Sequence, residues 1–313
     1  MEAIRCEGLT KRYGEITALD NLDLAVKERS VFGFLGPNGA GKTTTIKLLT
    51  GLSLPDSGRA WVDGKEVLPG DTCFLESIGF LPDVPAFYGW MTGRQYLKFV
   101  GELHSLKPSE IEKRCDELLE LVDLKKAPKR KVGGYSRGMR QRLGIAQALI
   151  NRPKVLFMDE PTSALDPVGR RDVLELVERL GKETTIFMSS HILSDVERVC
   201  DTIGIIDKGE MITISSVEEL RKKYARSAFE IELEGDASAL LGKLNSLGWV
   251  TEARQEKVNG LPVIRLLTAD IGRAKEELPK IIARSGLVLI RYELTMPSLE
   301  DIFVELVEGE GGR

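Results

Sequence analysis

The chain has 313 residues, more than one average domain and comfortable for two. With 42% hydrophobic and 29% charged residues it can bury a core, and the composition is not that of a disordered chain. A formal net charge of -4 argues against the basic field of a sequence-independent nucleic-acid binder, so no nucleic acid is expected as a partner, although 125–131 is locally basic.

The opening MEAIRCEGLTKRYGE lacks an apolar core of the secretory type, and no window approaches the roughly 18 apolar residues of a spanning helix. Cys6, Cys73, Cys115 and Cys200 are far apart and form no CxxC pair, which fits a reducing compartment and points to neither zinc nor redox chemistry. A cytoplasmic location is therefore expected, and work at a membrane would need a partner.

Val31–Leu35 reads as a short apolar strand entering a Gly-rich turn, followed by helical character over Thr43–Leu49. Thr92–Leu124 and Arg137–Ile150 read as helical, with a start at Pro108–Glu110 and an amphipathic stretch over Glu112–Leu124; a helical insert over about 84–150 follows. Val155–Met158 and Thr184–Ser190 are two further apolar strands, ending at Asp159–Glu160 and at His191. Buried strands with polar chemistry at their C-terminal ends are expected of ligand sites in open α/β sheets. The first domain is therefore placed at about 1–220.

Arg221–Lys223 reads as a charged linker to a second domain over about 225–313. There, strand Phe229–Leu233, helix Ala237–Leu247, strand Val250–Glu256, a turn at Asn259–Gly260, strand Val263–Leu267, helix Gly272–Ser285 and strand Val288–Leu294 give the order βαββαβ. That order predicts a small ferredoxin-like α+β domain. A last helix is expected to start at Ser298, with Asp301 three residues on.

Gly36, Pro37, Asn38, Gly39, Ala40, Gly41, Lys42, Thr43 and Thr44 fit GxxxxGK[ST] between a strand and a helix, the context that motif requires. Glycines let successive amides curl inward onto phosphate oxygens, and the following helix adds its positive end. Lys42 would reach the outer phosphates and the Thr43 hydroxyl a Mg²⁺ ion, so the reading is an ATP-binding loop. Behind such a loop, Asp159 is the expected metal partner and Glu160 the base for an attacking water. His191 emerges at the same sheet edge and could contact phosphate or water; His104 is read as structural. Ser136 and Gly138 open a helix, which fits either a second anion site, closed onto another copy's loop, or a plain helix cap.

Taken in order, the loop at Gly36–Thr44, the segment YSRGM, the strand VLFMDEP, the turn SALD and His191 resemble the ATP-binding cassette (ABC) family of transporter ATPases over about Met1–Ile214. The C-terminal part, ending PSLEDIFVEL, looks like the extension of a subgroup of bacterial exporter ATPases with separate membrane subunits. The resemblance implies ATP hydrolysis with Mg²⁺, adenine stacking on Tyr13, and closure of each site by Ser136 and Gly138 of a facing copy. It also implies a homodimer, or a heterodimer with a sister ATPase, peripheral on the inner face of the cell membrane beside a separate permease. Three positions depart from the pattern. Asp83 stands where Gln is usual, as a third possible metal partner, and Arg137 and Met139 alter the segment around Ser136. Residues 83–90 expose or pack several aromatics, which leaves partner docking and core packing both open.

Overall fold

The structure, a computed structural model, describes all residues except 126–128, 164, 224–227, 259–260, 269, 296–298, 301, 304–305 and 307–313. The turn at 259–260, the helix start at Ser298 and Asp301, and part of the basic stretch 125–131 fall outside the described residues. The chain divides into two compact units, Met1–Val217 and Glu218–Arg313.

The first unit runs β1 (Glu2–Tyr13), β2 (Ile16–Lys27), β3 (Val31–Leu35), α1 (Lys42–Leu49), β4 (Ser57–Val62), β5 (Lys65–Glu66), β6 (Ile78–Leu81), α2 (Gly93–Leu103), α3 (Pro108–Leu121), α4 (Arg137–Ala148), β7 (Val155–Asp159), α5 (Pro167–Gly181), β8 (Thr185–Ser190), α6 (Leu193–Val199), β9 (Thr202–Asp207) and β10 (Glu210–Ser216). The central sheet has the order β10-β9-β3-β8-β7-β6 and is parallel except at β10. Every residue of β3, β7 and β8 is buried, as a parallel sheet covered on both faces requires. Phe187 on β8 is the hub of this core: its ring lies 5.4 Å from Phe32, 5.2 Å from Phe34 and 5.7 Å from Phe157.

A second, antiparallel sheet has the order β2-β1-β4-β5. In β2 the apolar Leu22, Leu24 and Val26 face inward while Asp23, Ala25 and Lys27 face out, the two-residue period of a half-buried strand. The helical segment begins with a reciprocal cap, in which Thr92 accepts from the Gln95 amide and Gln95 accepts from the Thr92 amide. Pro108 then starts α3 at a position where its missing N–H costs nothing. Phe87 packs edge-on against Tyr96 at 5.0 Å, whereas Val84, Tyr88 and Trp90 are exposed.

The expected linker at Arg221–Lys223 is instead the end of a helix, α7 (Val217–Lys223). Its first turn carries Glu218 and Glu219, which suit a helix N-terminus, and Leu220 is buried, so the charge run belongs to an anchored element. The second unit continues with β11 (Ala228–Glu234), α8 (Ser238–Asn245), β12 (Val250–Val258), β13 (Leu261–Thr268), α9 (Ile271–Ala283) and β14 (Val288–Thr295). All neighbours in the order β12-β13-β11-β14 are antiparallel, which is the ferredoxin-like arrangement. Phe229, Ile231 and Leu233 line one face of β11 and meet Ala274, Leu278, Ile281 and Ile282, one stripe of α9.

Replacing Phe187 with Ala empties the hub of the first core, so chemical denaturation should show a loss of about 3–5 kcal/mol. The cysteines give a second check. Burial pushes the Cys6 thiol up to about 12 and the Cys115 thiol up to about 11, and it also raises Cys200. Cys73 is exposed, with its thiol raised by the hydrogen bond to Asp71. A thiol reagent should therefore label Cys73 alone in the folded protein, faster as the pH rises above neutral, and all four cysteines in denaturant.

Candidate functional site

The site is built where β3 runs out. The chain leaves Leu35 into Gly36, where a Cβ would lie 2.3 Å from the Ile206 carbonyl oxygen on β9, so only glycine fits. Gly41 has φ +110° and would bring a Cβ within 2.6 Å of the Ala18 carbonyl oxygen. Two hydrogen bonds fix the loop between them: Ala40 donates to the Pro37 carbonyl at 3.2 Å, and Gly209 donates to the Ala40 carbonyl at 3.0 Å. Gly41 then caps α1 without a side chain, so no side chain accepts from the amides of the first turn. Asn38 and Gly39 are exposed and Thr44 is half-buried.

Lys42 turns back over this loop. The residue is only 6% exposed, and its ammonium donates to the carbonyls of Gly36 at 2.7 Å and Pro37 at 3.2 Å. It also lies 3.4 Å from Glu160 Oε1. Thr43 Oγ1 donates to Asp159 Oδ1 at 3.2 Å. Asp159 is the last residue of β7 and 4% exposed. Glu160 follows with φ 48°, a left-handed conformation that costs a side-chain-bearing residue about 1–2 kcal/mol. That turn swings its carboxylate off the line of the strand, with Oε2 lying 2.8 Å from His191 Nδ1. Lys42, Thr43, Asp159, Glu160 and His191 thus form one contact cluster drawn from the ends of three adjacent strands, β3, β8 and β7.

Ser189 joins this cluster without any sequence motif to mark it. Its hydroxyl donates to Asp159 Oδ1 at 2.6 Å and accepts from the Glu160 amide at 3.0 Å. The one signal in the sequence is a hydroxyl at the end of an otherwise apolar strand, TIFMSS. The turn after Glu160 carries a second network: Thr162 Oγ1 donates to Asp195 Oδ2 at 2.5 Å, and Arg170 Nε donates to Asp195 Oδ1 at 2.6 Å. Asp166, from the SALD turn, caps α5 by accepting from the Gly169 amide.

The remaining expected residues lie outside the cluster. Asp83 accepts from Ser163 Oγ at 2.9 Å; no hydrogen bond joins it to Thr43 or Asp159 among the described residues. Ser136 caps α4, accepting from the Met139 amide at 3.2 Å. With Gly138 it lines a cleft beside Arg142, Leu165, Asp166 and Asp172, and no residue of 36–44 lines that cleft. Tyr13 ends β1, 48% exposed, with the Lys11 ammonium 5.4 Å above its ring. His104 is the C-cap of α2.

Thr43 and Asp159 offer a hydroxyl and a carboxylate, hard oxygen donors of the kind Mg²⁺ takes. Among the described residues there is no group of three or more His, Cys, Asp or Glu that could form an all-protein metal cage. This suits an ion that borrows its other ligands from water and phosphate.

Comparison with known proteins gives the same picture. Residues 19–163 match the ABC transporter family, and residues 216–307 match the family described as the ATP-binding protein DrrA1-3-like, C-terminal domain. The chain is 37% identical to the bacitracin transport ATP-binding protein BcrA of Bacillus licheniformis, over 98% of this chain and 97% of that one. It is 36% identical to the daunorubicin resistance ATP-binding protein DrrA3 of Streptomyces coeruleorubidus, over 97% of this chain and 95% of that one. Among solved structures, an ATP binding subunit of an ABC transporter superimposes with a TM-score of 0.65 at 27% identity, covering 71% of this chain and 93% of the other. A dimeric bacterial ABC transporter cassette gives 0.63 at 27% identity, covering 68% and 98%.

The Gly41→Ala variant tests the loop geometry. Strain of about 1–3 kcal/mol at a positive φ, added to the clash with the Ala18 carbonyl, should weaken nucleotide binding about ten- to a hundredfold. Titration with a fluorescent ATP analogue reads this directly.

Proposed function

The chain belongs to the family of ABC transporter ATP-binding proteins, and from that premise we propose that it drives a membrane exporter from the cytoplasmic face of the cell membrane. It is the ATP-binding, ATP-hydrolysing subunit of such a transporter. No helix among the described residues is long and apolar enough to cross a membrane, so the transport path belongs to a separate permease. The working unit is a homodimer, or a heterodimer with a sister ATPase. The likeness to transport and resistance proteins over nearly the whole chain, the C-terminal unit included, supports export. The observation that carries the mechanism is the cluster of Lys42, Thr43, Asp159, Glu160 and His191.

In the proposed mechanism the amides of 36–44 and Lys42 receive the phosphates, and Tyr13 stacks on the base. Thr43 and Asp159 would hold Mg²⁺, which would neutralise phosphate charge. Lys42 lies 3.4 Å from Glu160 Oε1 and donates to the carbonyls of Gly36 and Pro37, which holds it over the loop. Glu160 Oε1 takes a proton from the attacking water, while His191 holds Oε2. Ser136 and Gly138 of the facing copy close the site. Asp83 acts on the turn at Ser163, which donates to it, and the exposed Val84, Tyr88 and Trp90 offer an apolar docking point for the permease. The first domain, about 1–220 with its helical part at 84–150, carries the chemistry. The second, about 225–313, is an accessory domain.

The Glu160→Gln variant should bind ATP with the parent's affinity and release phosphate about 10²- to 10⁴-fold more slowly. Unchanged phosphate release removes Glu160 from the base's role. The same variant, drawn with ATP from gently solubilised native membranes, should bring down a polytopic membrane protein in near-equal amount. Recovery of soluble proteins alone overturns the transporter assignment for the complex.

A further inference from the structure

Asp159 and Glu160 are consecutive residues with different tasks, and one buried hydroxyl touches both. Ser189 is fully buried on β8, directly opposite Asp159 in the parallel pairing with β7. A serine hydroxyl has one hydrogen and two lone pairs. Here the hydrogen goes to Asp159 Oδ1 at 2.6 Å, and the oxygen receives the Glu160 amide at 3.0 Å. Asp159 Oδ1 also accepts from Thr43, so this oxygen is held from two sides and the plane of the carboxylate is set. The second contact has a separate effect. It satisfies the Glu160 amide at the point where the backbone turns left-handed, φ 48°. That turn is what delivers the Glu160 carboxylate to Lys42 and His191 instead of along the strand.

We propose that Ser189 is a positioning residue for ATP hydrolysis, fixing the Asp159 carboxylate for Mg²⁺ and the Glu160 backbone for the attack on water. This rests on the roles given to Asp159 and Glu160 above. A serine that merely filled the core would stabilise the fold without tuning either carboxylate. Removing the hydroxyl leaves a buried amide without its acceptor and a metal-side carboxylate with one donor fewer, so both functions loosen together.

The test compares Ser189→Ala with Ser189→Thr, which keeps the hydroxyl, in the full chain. Three quantities are read: kcat and KM for ATP, the melting temperature, and the Mg²⁺ concentration that half-saturates binding of a non-hydrolysable fluorescent ATP analogue. In Ser189→Ala the half-saturating Mg²⁺ should rise about tenfold and kcat fall about ten- to a hundredfold, the range for residues that orient metal ligands. Affinity for the analogue without Mg²⁺ should stay within about twofold, because the loop and Lys42 are untouched. Folded Ser189→Thr should keep the parent's Mg²⁺ dependence. An unshifted Mg²⁺ dependence in folded Ser189→Ala, or a shifted one in folded Ser189→Thr, overturns the proposal. The parent reading is decided separately: full turnover in Glu160→Gln removes the role of Glu160, whereas its loss alongside an unaltered Ser189→Ala removes only the role of Ser189.

Discussion

Hydrogen bonding between parallel strands leaves no freedom in where their ends fall, and in this protein three ends fall side by side. Leu35 on β3 is opposite Ser190 on β8, and Asp159 on β7 is opposite Ser189 on β8. A one-residue slip of any of the three would carry its phenylalanines to the other face of the sheet and break the cluster around Phe187, so that aromatic core fixes the register. The phosphate-binding loop, the two carboxylates and His191 all leave the sheet from this one line. Core packing thus sets where each segment leaves the sheet, and the glycine-fixed loop at 36–41 and the left-handed turn at Glu160 set the rest.

Much of this is legible in the amino-acid order alone. The three strands stand out as unbroken apolar runs ending in polar residues, and the loop at 36–44 has a motif whose spacing is dictated by phosphate geometry. The second unit is also legible, because its strands and helices are short, periodic and separated by turns. Other elements are hidden for physical reasons. The alternation of β1 is interrupted by register shifts near Cys6 and Leu9, with Gly8 at positive φ, so its two-residue period never runs long enough to stand out. The end of α7 looks like a linker because a charged last turn resembles a solvated run when the anchoring Leu220 is not recognised. Ser189 stays hidden because a buried serine at a strand end has no motif. Its role follows from which residue the neighbouring strand places opposite, and strand order is not written in local sequence.

The cap at Ser136 is compatible with the recognition role proposed for the same atom. The cap it makes on α4 uses a lone pair of the hydroxyl, which accepts from the Met139 amide. Among the described residues no acceptor takes the hydroxyl hydrogen, so capping the helix orients the group without consuming its capacity to meet an anion. Arg137 at the next position is exposed, which places a positive charge at that same helix start.

The two halves of the machinery differ in how they are anchored. Asp159 and Ser189 stand on strands of the central sheet, Glu160 directly follows β7, and Lys42 opens α1 beyond the loop that leaves β3. Ser136 and Gly138 stand at the start of α4, which packs on β6 at the edge of that sheet so closely that a Cβ at Gly144 would lie 2.6 Å from Leu81. Because β6 pairs with β7, that strand pair is a packed connection between the helix start at Ser136 and the carboxylate at the end of β7.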